Sequence, residues 1–238
     1  MSENKKRETL EEFKNRVYGF ESNSIYLNDF GSFNTAGGLC KKVDENGKMK
    51  KFIGNTTVFL LNDNNGFKDR VIYFQQVLYT MCHRMLSEKL RENTLHMTLH
   101  DLMNGLPEEV SQEDMKKLGD KIQNILSDLR KKPFKINLQS TWAFNMVNTS
   151  IVLGLEPCTQ RDWDILTDIY RKVDEVYSLS YPFTPHVTLA YFKPGSYSSS
   201  EVEKLRYTIE CLSEEKLSVT FTEKDLVYQI FEDMNSYY

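Results

Sequence analysis

The sequence predicts an α+β fold built from two similar halves. Two segments with the same core, residues 95–99 (LHMTL) and 185–189 (PHVTL), both contain His-x-Thr-Leu in a β-prone run. Their histidines lie 90 positions apart (186 − 96). Around each segment the chain passes through strand-like and helix-like stretches in the same order. These observations predict repeats over about 52–147 and 149–232.

The first repeat follows the order strand, helix, motif strand, helix, strand, strand. A run rich in β-branched residues predicts the opening strand, and apolar residues at helical spacing predict the long helix after it. Ser111, with Asp114 three places later, predicts the start of the second helix. The predicted bounds are strand 52–62 with a turn at 63–66, helix 69–91, the motif strand, helix 111–129, and strands 134–139 and 142–147.

The second repeat has the same order of elements. Its helices are predicted from periodicity and from the Ser198–Ser200 cap. The predicted bounds are strand 149–155, helix 160–177, motif strand 186–192, helix 201–212, and strands 217–222 and 226–231. The tail over 232–238 is expected to fray. We therefore expect an N-terminal extension over 1–50, with a short helix over 8–17, followed by a single two-lobed domain over 51–238.

Composition limits the classes of function. The chain of 238 residues is 40% hydrophobic and 27% charged, as in ordinary globular proteins. Its net charge of −4 argues against binding to duplex DNA, which normally needs a strongly basic face. No apolar run approaches a membrane span, and the start, MSENKKR, lacks the apolar core of a signal peptide. We therefore expect a cytoplasmic protein without membrane contact. We also expect a monomer, although composition does not bear on the oligomeric state.

The cysteines give no sign of a disulfide framework or a zinc site. They are scattered and contain no Cys-x-x-Cys pair, which is typical of reduced thiols in a cytosolic protein. The four positions are Cys40, Cys82, Cys158 and Cys211.

The two motifs can place four polar groups in one groove. Side chains two apart on a strand point to the same face, so His96 shares a face with Thr98, and His186 with Thr188. If the halves pack about a pseudo-twofold axis with these strands adjacent, two imidazoles and two hydroxyls line one groove. His100, two residues beyond Thr98, is predicted to share that face, where it is either a candidate substrate contact or a strand-end histidine bonded to a neighbour.

Such a set of groups suits attack on phosphorus without a metal or other cofactor. A neutral histidine can take a proton from the attacking water or hydroxyl, and a protonated one can give a proton to the leaving oxygen. Threonine hydroxyls can donate hydrogen bonds to the non-bridging oxygens. On a strand, His96 and His100 are about 13 Å apart at ~3.3 Å per residue, too far for a shared zinc ion.

Paired His-x-Thr motifs in a duplicated α+β chain resemble the 2H phosphoesterase superfamily, which includes RNA 2′,3′-cyclic phosphodiesterases and 2′-5′ RNA ligase-like proteins. The resemblance covers about residues 52–238. It implies a bilobal fold, with two antiparallel sheets flanked by helices around a central groove. It also implies His96 and His186 as general acid and base, Thr98 and Thr188 as phosphate ligands, and a small nucleotide or RNA end as substrate.

The chain departs from the family pattern after the second motif. Many RNA-directed members have H-x-T-L-A-R there, whereas Leu189-Ala190 is followed here by Tyr191. Tyr191 is a candidate substrate contact, and Arg70 and Lys193 are candidate phosphate-steering cations. Two other hypotheses stay open at this point: a module that binds nucleotides without cleaving them, and a structural protein with coincidental motifs.

Overall fold

The computed structural model describes residues 8–20, 25–61 and 66–238. The N-terminal seven residues and most of the turn predicted at 63–66 lie outside the described residues. Within them the chain forms five α-helices and ten β-strands. The helices are α1 Leu10–Val17, α2 Phe67–Cys82, α3 Gln112–Arg130, α4 Gln160–Asp174 and α5 Ser199–Ser213. The strands are β1 Ser32–Asn34, β2 Ile53–Leu60, β3 His96–Gly105, β4 Lys135–Met146, β5 Ser150–Pro157, β6 His186–Tyr191, β7 Ser196–Ser198, β8 Ser218–Thr222, β9 Leu226–Asp233 and β10 Ser236–Tyr237.

The strands form two antiparallel sheets of very different size, which confirms the predicted α+β class. The larger sheet has eight strands in the order β10-β9-β2-β3-β6-β5-β4-β8. The smaller sheet pairs β1 with β7. The motif strands β3 and β6 are neighbours at the middle of the large sheet, where Met97 lies opposite Val187. One sheet therefore carries both motifs.

The last strand of each repeat pairs with the first strand of the other repeat. Strand β4, which ends the first repeat, pairs with β5, which opens the second. Strand β9, near the end of the second repeat, pairs with β2, which opens the first. Both ends of the sheet around the motifs are thus built from both repeats, so the relative position of β3 and β6 is held from two sides.

The helices cover the apolar face of this sheet. Met97, Leu99, Val187 and Leu189 point into that core and are at most 1% exposed. Helix α3 begins as predicted, because the Ser111 hydroxyl accepts a hydrogen bond from the backbone N–H of Asp114. Such N-caps contribute about 1 kcal/mol each to helix stability. The buried face of the motif strands is therefore structural, and the opposite face is free for chemistry.

The long helix predicted over 69–91 ends early, at Cys82. A 3-10 turn follows, and then Leu86 forms a β-bridge with Phe192. The pairing continues at the next residue, where the Ser87 N–H donates a hydrogen bond of 3.0 Å to the Tyr191 carbonyl. The apolar spacing extends beyond the helix because Leu86 and Leu90 are buried without being helical. Tertiary pairing thus overrides the helical pattern.

Two further predictions are corrected. The strands predicted over 134–139 and 142–147 are one strand, β4, whose pairing with β5 shifts between Ser140 and Ala143. The tail predicted to fray instead forms β10, which pairs with β9. Its Asn235 side chain accepts a hydrogen bond from the Arg91 backbone N–H at 2.8 Å. The tail is therefore held by backbone pairing and by a side chain.

The N-terminal extension packs on the domain. Helix α1 stacks Phe13 on Trp163 with ring centroids 4.6 Å apart. Strand β1 pairs with β7, and Leu39 and Val43 are fully buried. The extension therefore forms part of the folded body along most of its described length.

Candidate active site

The four motif side chains predicted to share a groove do so. Because β3 and β6 are antiparallel and Met97 faces Val187, His96 lies opposite Thr188, and Thr98 lies opposite His186. All four are half-buried and line one cavity. Diagonal neighbours on a sheet lie roughly 7–8 Å apart, so the two histidines occupy one diagonal and the two threonines the other. A phosphate group between them would have an imidazole on each side.

Both imidazoles are held in the same way. The Nδ1 of His96 lies 2.7 Å from the carbonyl oxygen of Thr94, and the Nδ1 of His186 lies 2.7 Å from that of Thr184. A carbonyl oxygen only accepts, so each Nδ1 carries the hydrogen and donates it. In the neutral ring the other nitrogen, Nε2, is then left with a lone pair. Each ring is thus fixed in the tautomer that a general base needs.

Burial keeps both rings neutral in the free protein. It lowers the pKa of His96 to about 4, against the opposing effects of the Thr94 carbonyl and Asp101, and with a small further lowering from His186. Burial likewise lowers the pKa of His186, again opposed by a carbonyl and by Asp101. Burial disfavours the charged form of an imidazole. A bound phosphate would act in the opposite direction, because its negative charge stabilises an imidazolium.

His100 borders the same cavity, but the bulge places its side chain on the other face of β3 from His96, contrary to the prediction that they share a face. The pairing of β2 with β3 passes from Thr98 to His100 in a single step, so Leu99 forms a bulge and the alternation changes. His100 is 1% exposed, and its ring nitrogens face the carbonyl oxygen of Asp101 and, at 3.2 Å, the carboxylate of Asp174. Both ring nitrogens are engaged within the protein, which favours a structural role, and its role as a substrate contact stays a prediction.

The bulge brings Asp101 to the groove instead. Its charge raises the pKa of both His96 and His186, and its carboxylate accepts a hydrogen bond of 2.9 Å from the Tyr181 hydroxyl. Sequence reasoning missed Asp101 because simple alternation places it on the opposite face. No signal in the sequence marks the bulge.

The second motif has the same bulge. The pairing of β5 with β6 passes from Thr188 to Ala190 in one step. Tyr191 therefore occupies the position that matches Asp101, and Ala190 the position that matches His100. Tyr191 lines the cavity, and its hydroxyl lies 3.1 Å from the sulfur of Met234.

Aromatic rings form much of the cavity wall. The cavity has a volume of about 730 Å³, within the range of small-molecule sites. The ring of Tyr237, in the tail, lies 5.0 Å from that of His96, edge to face. Elsewhere in the wall, Tyr170 stacks on Phe183 with ring centroids 4.7 Å apart. The tail thus contributes a site residue that the sequence did not predict.

The predicted steering cations do not line this cavity. Arg70 is held by the carboxylate of Glu215, and Lys193 lies outside the lining. Two cationic side chains of the N-terminal extension, Arg16 and Lys42, do line it. Sequence reasoning missed both, because their position depends on how the extension packs.

No metal site accompanies these groups within residues 8–20, 25–61 and 66–238. These ranges contain no cluster of three or more His, Cys, Asp or Glu side chains that could hold a metal ion. None of their helices is long and apolar enough to cross a bilayer.

Comparison with known proteins gives matches among solved structures alone. No family model and no curated protein matches the chain. A conserved protein of unknown function, ATU0111 from Agrobacterium tumefaciens, is 18% identical with a TM-score of 0.55, over 82% of this chain and 88% of that one. Escherichia coli LigT in its apo form is 13% identical, with a TM-score of 0.44 over 79% and 95% of the two chains. TT0787 of Thermus thermophilus is 15% identical, with a TM-score of 0.43 over 75% and 94%.

The matched structures also include one described as a phosphoesterase. At 18% identity, the likeness to ATU0111 bears on the fold alone.

Proposed function

We propose that this chain is a metal-independent 2H phosphoesterase that hydrolyses a cyclic phosphate or a 2′-5′ phosphodiester of a small nucleotide or RNA end. The main support is the pair of histidines in one cavity, each with its Nδ1–H bonded to a threonine carbonyl. The threonines on the other diagonal add hydroxyl donors. The fold of the chain, with its duplicated motif strands side by side, is compatible with this activity.

The geometry supports an in-line displacement. The neutral imidazole accepts a proton from water through Nε2 while the water oxygen forms a bond to phosphorus. The bond from phosphorus to the leaving oxygen breaks, and the protonated imidazole donates its proton to that oxygen. Thr98 and Thr188 donate hydrogen bonds to the non-bridging oxygens, where negative charge gathers. Each proton transfer contributes roughly 10²–10⁴ to the rate.

One histidine becomes protonated when the substrate binds. Burial keeps both imidazoles neutral in the free protein at pH 7. The negative charge of a bound phosphodiester raises the pKa of the adjacent rings, so one of them takes up a proton in the complex. Which of the two is the acid depends on the orientation of the substrate.

The proposed partners follow from the same cavity. Its volume suits a nucleotide-sized ligand, and the net charge of −4 disfavours duplex DNA. We further propose that the protein acts as a cytoplasmic monomer. Four free cysteines support a reducing compartment.

A substrate panel tests the proposal. The protein is incubated in EDTA with nucleoside 2′,3′-cyclic phosphates, 1″,2″-cyclic ADP-ribose phosphate, 2′-5′ oligonucleotides and cyclic dinucleotides, and the regiochemistry of the products is determined. We expect turnover of at least one class with chelator present. Loss of turnover in EDTA would contradict metal independence. Saturable binding without product after long incubation would instead identify a nucleotide-binding module.

A further inference from the structure

The N-terminal extension places a lysine in the wall of the catalytic cavity. Lys42 follows the 3-10 helix Gly37–Lys41 and lies between Leu39 and Val43, which are both fully buried. Its carbonyl accepts a hydrogen bond of 2.9 Å from the Lys50 N–H. The backbone at this position is therefore held on both sides, and the half-buried side chain projects from a fixed point.

The ammonium group of Lys42 rests on aromatic rings. It lies 5.0 Å from the ring centroid of Phe52 and 5.8 Å from that of Tyr191. No carboxylate among the described residues forms an ion pair with it. Aromatic faces replace only part of the hydration that a partly buried ammonium loses. An anionic ligand in the cavity would supply the missing counter-charge.

The other cation of the lining is already neutralised. Two nitrogens of the Arg16 guanidinium donate to the carboxylate of Glu8, at 2.7 and 2.9 Å. Two further donors bond the Thr184 hydroxyl and the Phe183 carbonyl. Within the described part of the cavity wall, Lys42 is therefore the cation without an acidic partner. The carboxylate of Asp101, also in the wall, would itself repel an anion.

The position of Lys42 separates it from the histidine pair. Its ammonium lies over the ring of Tyr191. Tyr191 is three residues beyond Thr188 on β6, so their backbones are at most about 10 Å apart at ~3.3 Å per residue. A phosphate held between the histidines and the threonines lies next to Thr188. Lys42 therefore faces a neighbouring part of the ligand.

We propose that Lys42 binds a second phosphate group of the substrate, so that the preferred substrate is a nucleotide carrying a phosphate besides the diester that is cleaved. The inference rests on the proposed function for the reacting phosphate. It assigns the N-terminal extension a role in substrate selection.

Equilibrium binding tests this inference without turnover. Affinities for a nucleoside 3′-phosphate and the matching 3′,5′-bisphosphate are measured by calorimetry for the wild type, Lys42→Gln, Lys42→Arg and the control Lys41→Gln. The substitution Lys41→Gln removes the same charge from the adjacent position. The ammonium of Lys41 pairs with Glu109 on the exposed surface. A charge-assisted hydrogen bond is worth about tenfold or more in affinity.

We expect the wild type to bind the bisphosphate about tenfold more tightly than the monophosphate. Lys42→Gln should abolish this preference and leave monophosphate affinity within about twofold, whereas Lys42→Arg and Lys41→Gln should keep it. An equal loss in Lys42→Gln and Lys41→Gln, or no preference in the wild type, would overturn the inference. If the preference depends on Lys42 but the substrate panel gives no turnover, the assignment of Lys42 stands and the proposed hydrolysis fails.

Discussion

The two motif strands share their chemistry and differ in their surroundings. In both strands the imidazole Nδ1 donates to a threonine carbonyl at 2.7 Å, and in both a bulge follows the motif threonine. Beyond the bulge they diverge, with Asp101 on one strand matched by Tyr191 on the other. The shared part provides two equivalent proton carriers. The divergent part makes the two ends of the cavity different, and this difference can orient an unsymmetrical substrate.

The two histidine supports are also braced by opposite ends of the chain. The backbone at Arg91, whose carbonyl accepts from the Thr94 hydroxyl, is held by Asn235 in the C-terminal tail. Thr184 is held by Arg16 in the N-terminal extension. Segments outside the duplicated repeats thus stabilise the residues that fix each imidazole. Each of the two supports is therefore braced separately, one from each end of the chain.

The largest expected effect is the loss of either histidine. His96→Ala and His186→Ala should each lower kcat by about 10²–10⁴-fold, since each removes one proton transfer. The exposed His83→Ala is the control and should retain wild-type kcat. Rates on a substrate with an activated leaving group then separate the roles. The variant lacking the general acid should recover most of its loss there, whereas the variant lacking the base should not. Retention of kcat within tenfold in both variants would refute the assignment.

A smaller effect is expected at His100, whose matching position on the other motif strand is Ala190. His100→Ala should lower the free energy of unfolding by about 2–3 kcal/mol, because it removes a buried hydrogen-bonding partner of Asp174. Chemical denaturation measures this, with His83→Ala as a surface control expected to change stability by less than about 0.5 kcal/mol. An unchanged midpoint for His100→Ala, or a loss of kcat as large as that of His96→Ala at full folding, would show that its placement as a structural residue is wrong.

The smallest expected effect concerns the pH dependence of kcat/KM. The reaction needs one protonated and one neutral histidine, and burial lowers the pKa of both rings, that of His96 to about 4. The fraction of free protein with one proton on the pair is therefore largest below pH 6.5, and kcat/KM should fall as the pH rises through neutrality. Asp101 raises both pKa values, so Asp101→Asn should move the alkaline limb to lower pH, on the order of half a unit.

Tyr191→Phe is the matched control for Asp101→Asn, since Tyr191 occupies the equivalent position without a charge. Its alkaline limb should coincide with that of the wild type. A shift to higher pH in Asp101→Asn, or equal shifts in both variants, would contradict the electrostatic role of Asp101. The profile of kcat should lie at higher pH than that of kcat/KM, because bound phosphate favours the protonated ring.

The local elements could largely be predicted, since they follow from periodicity and caps. Ser111 and Ser198 cap α3 and α5 as predicted, and both motif histidines begin strands. The end of α2 could not be predicted, because Leu86 keeps the apolar spacing while its backbone pairs with Phe192. Such boundaries are decided by pairing partners that are distant in the chain. The spacing of residues within a short window of sequence does not identify these partners.

The motif residues themselves establish which groups are available for chemistry: two imidazoles and two hydroxyls on alternating strands, because alternation is a local property of extended backbone. Their meeting in one cavity required the antiparallel pairing of Met97 with Val187, which depends on contacts across 90 residues. The same holds for the bulge that buries His100 and turns Asp101 toward the cavity. It holds also for Lys42 and Tyr237, which reach the cavity wall through the packing of the two ends of the chain.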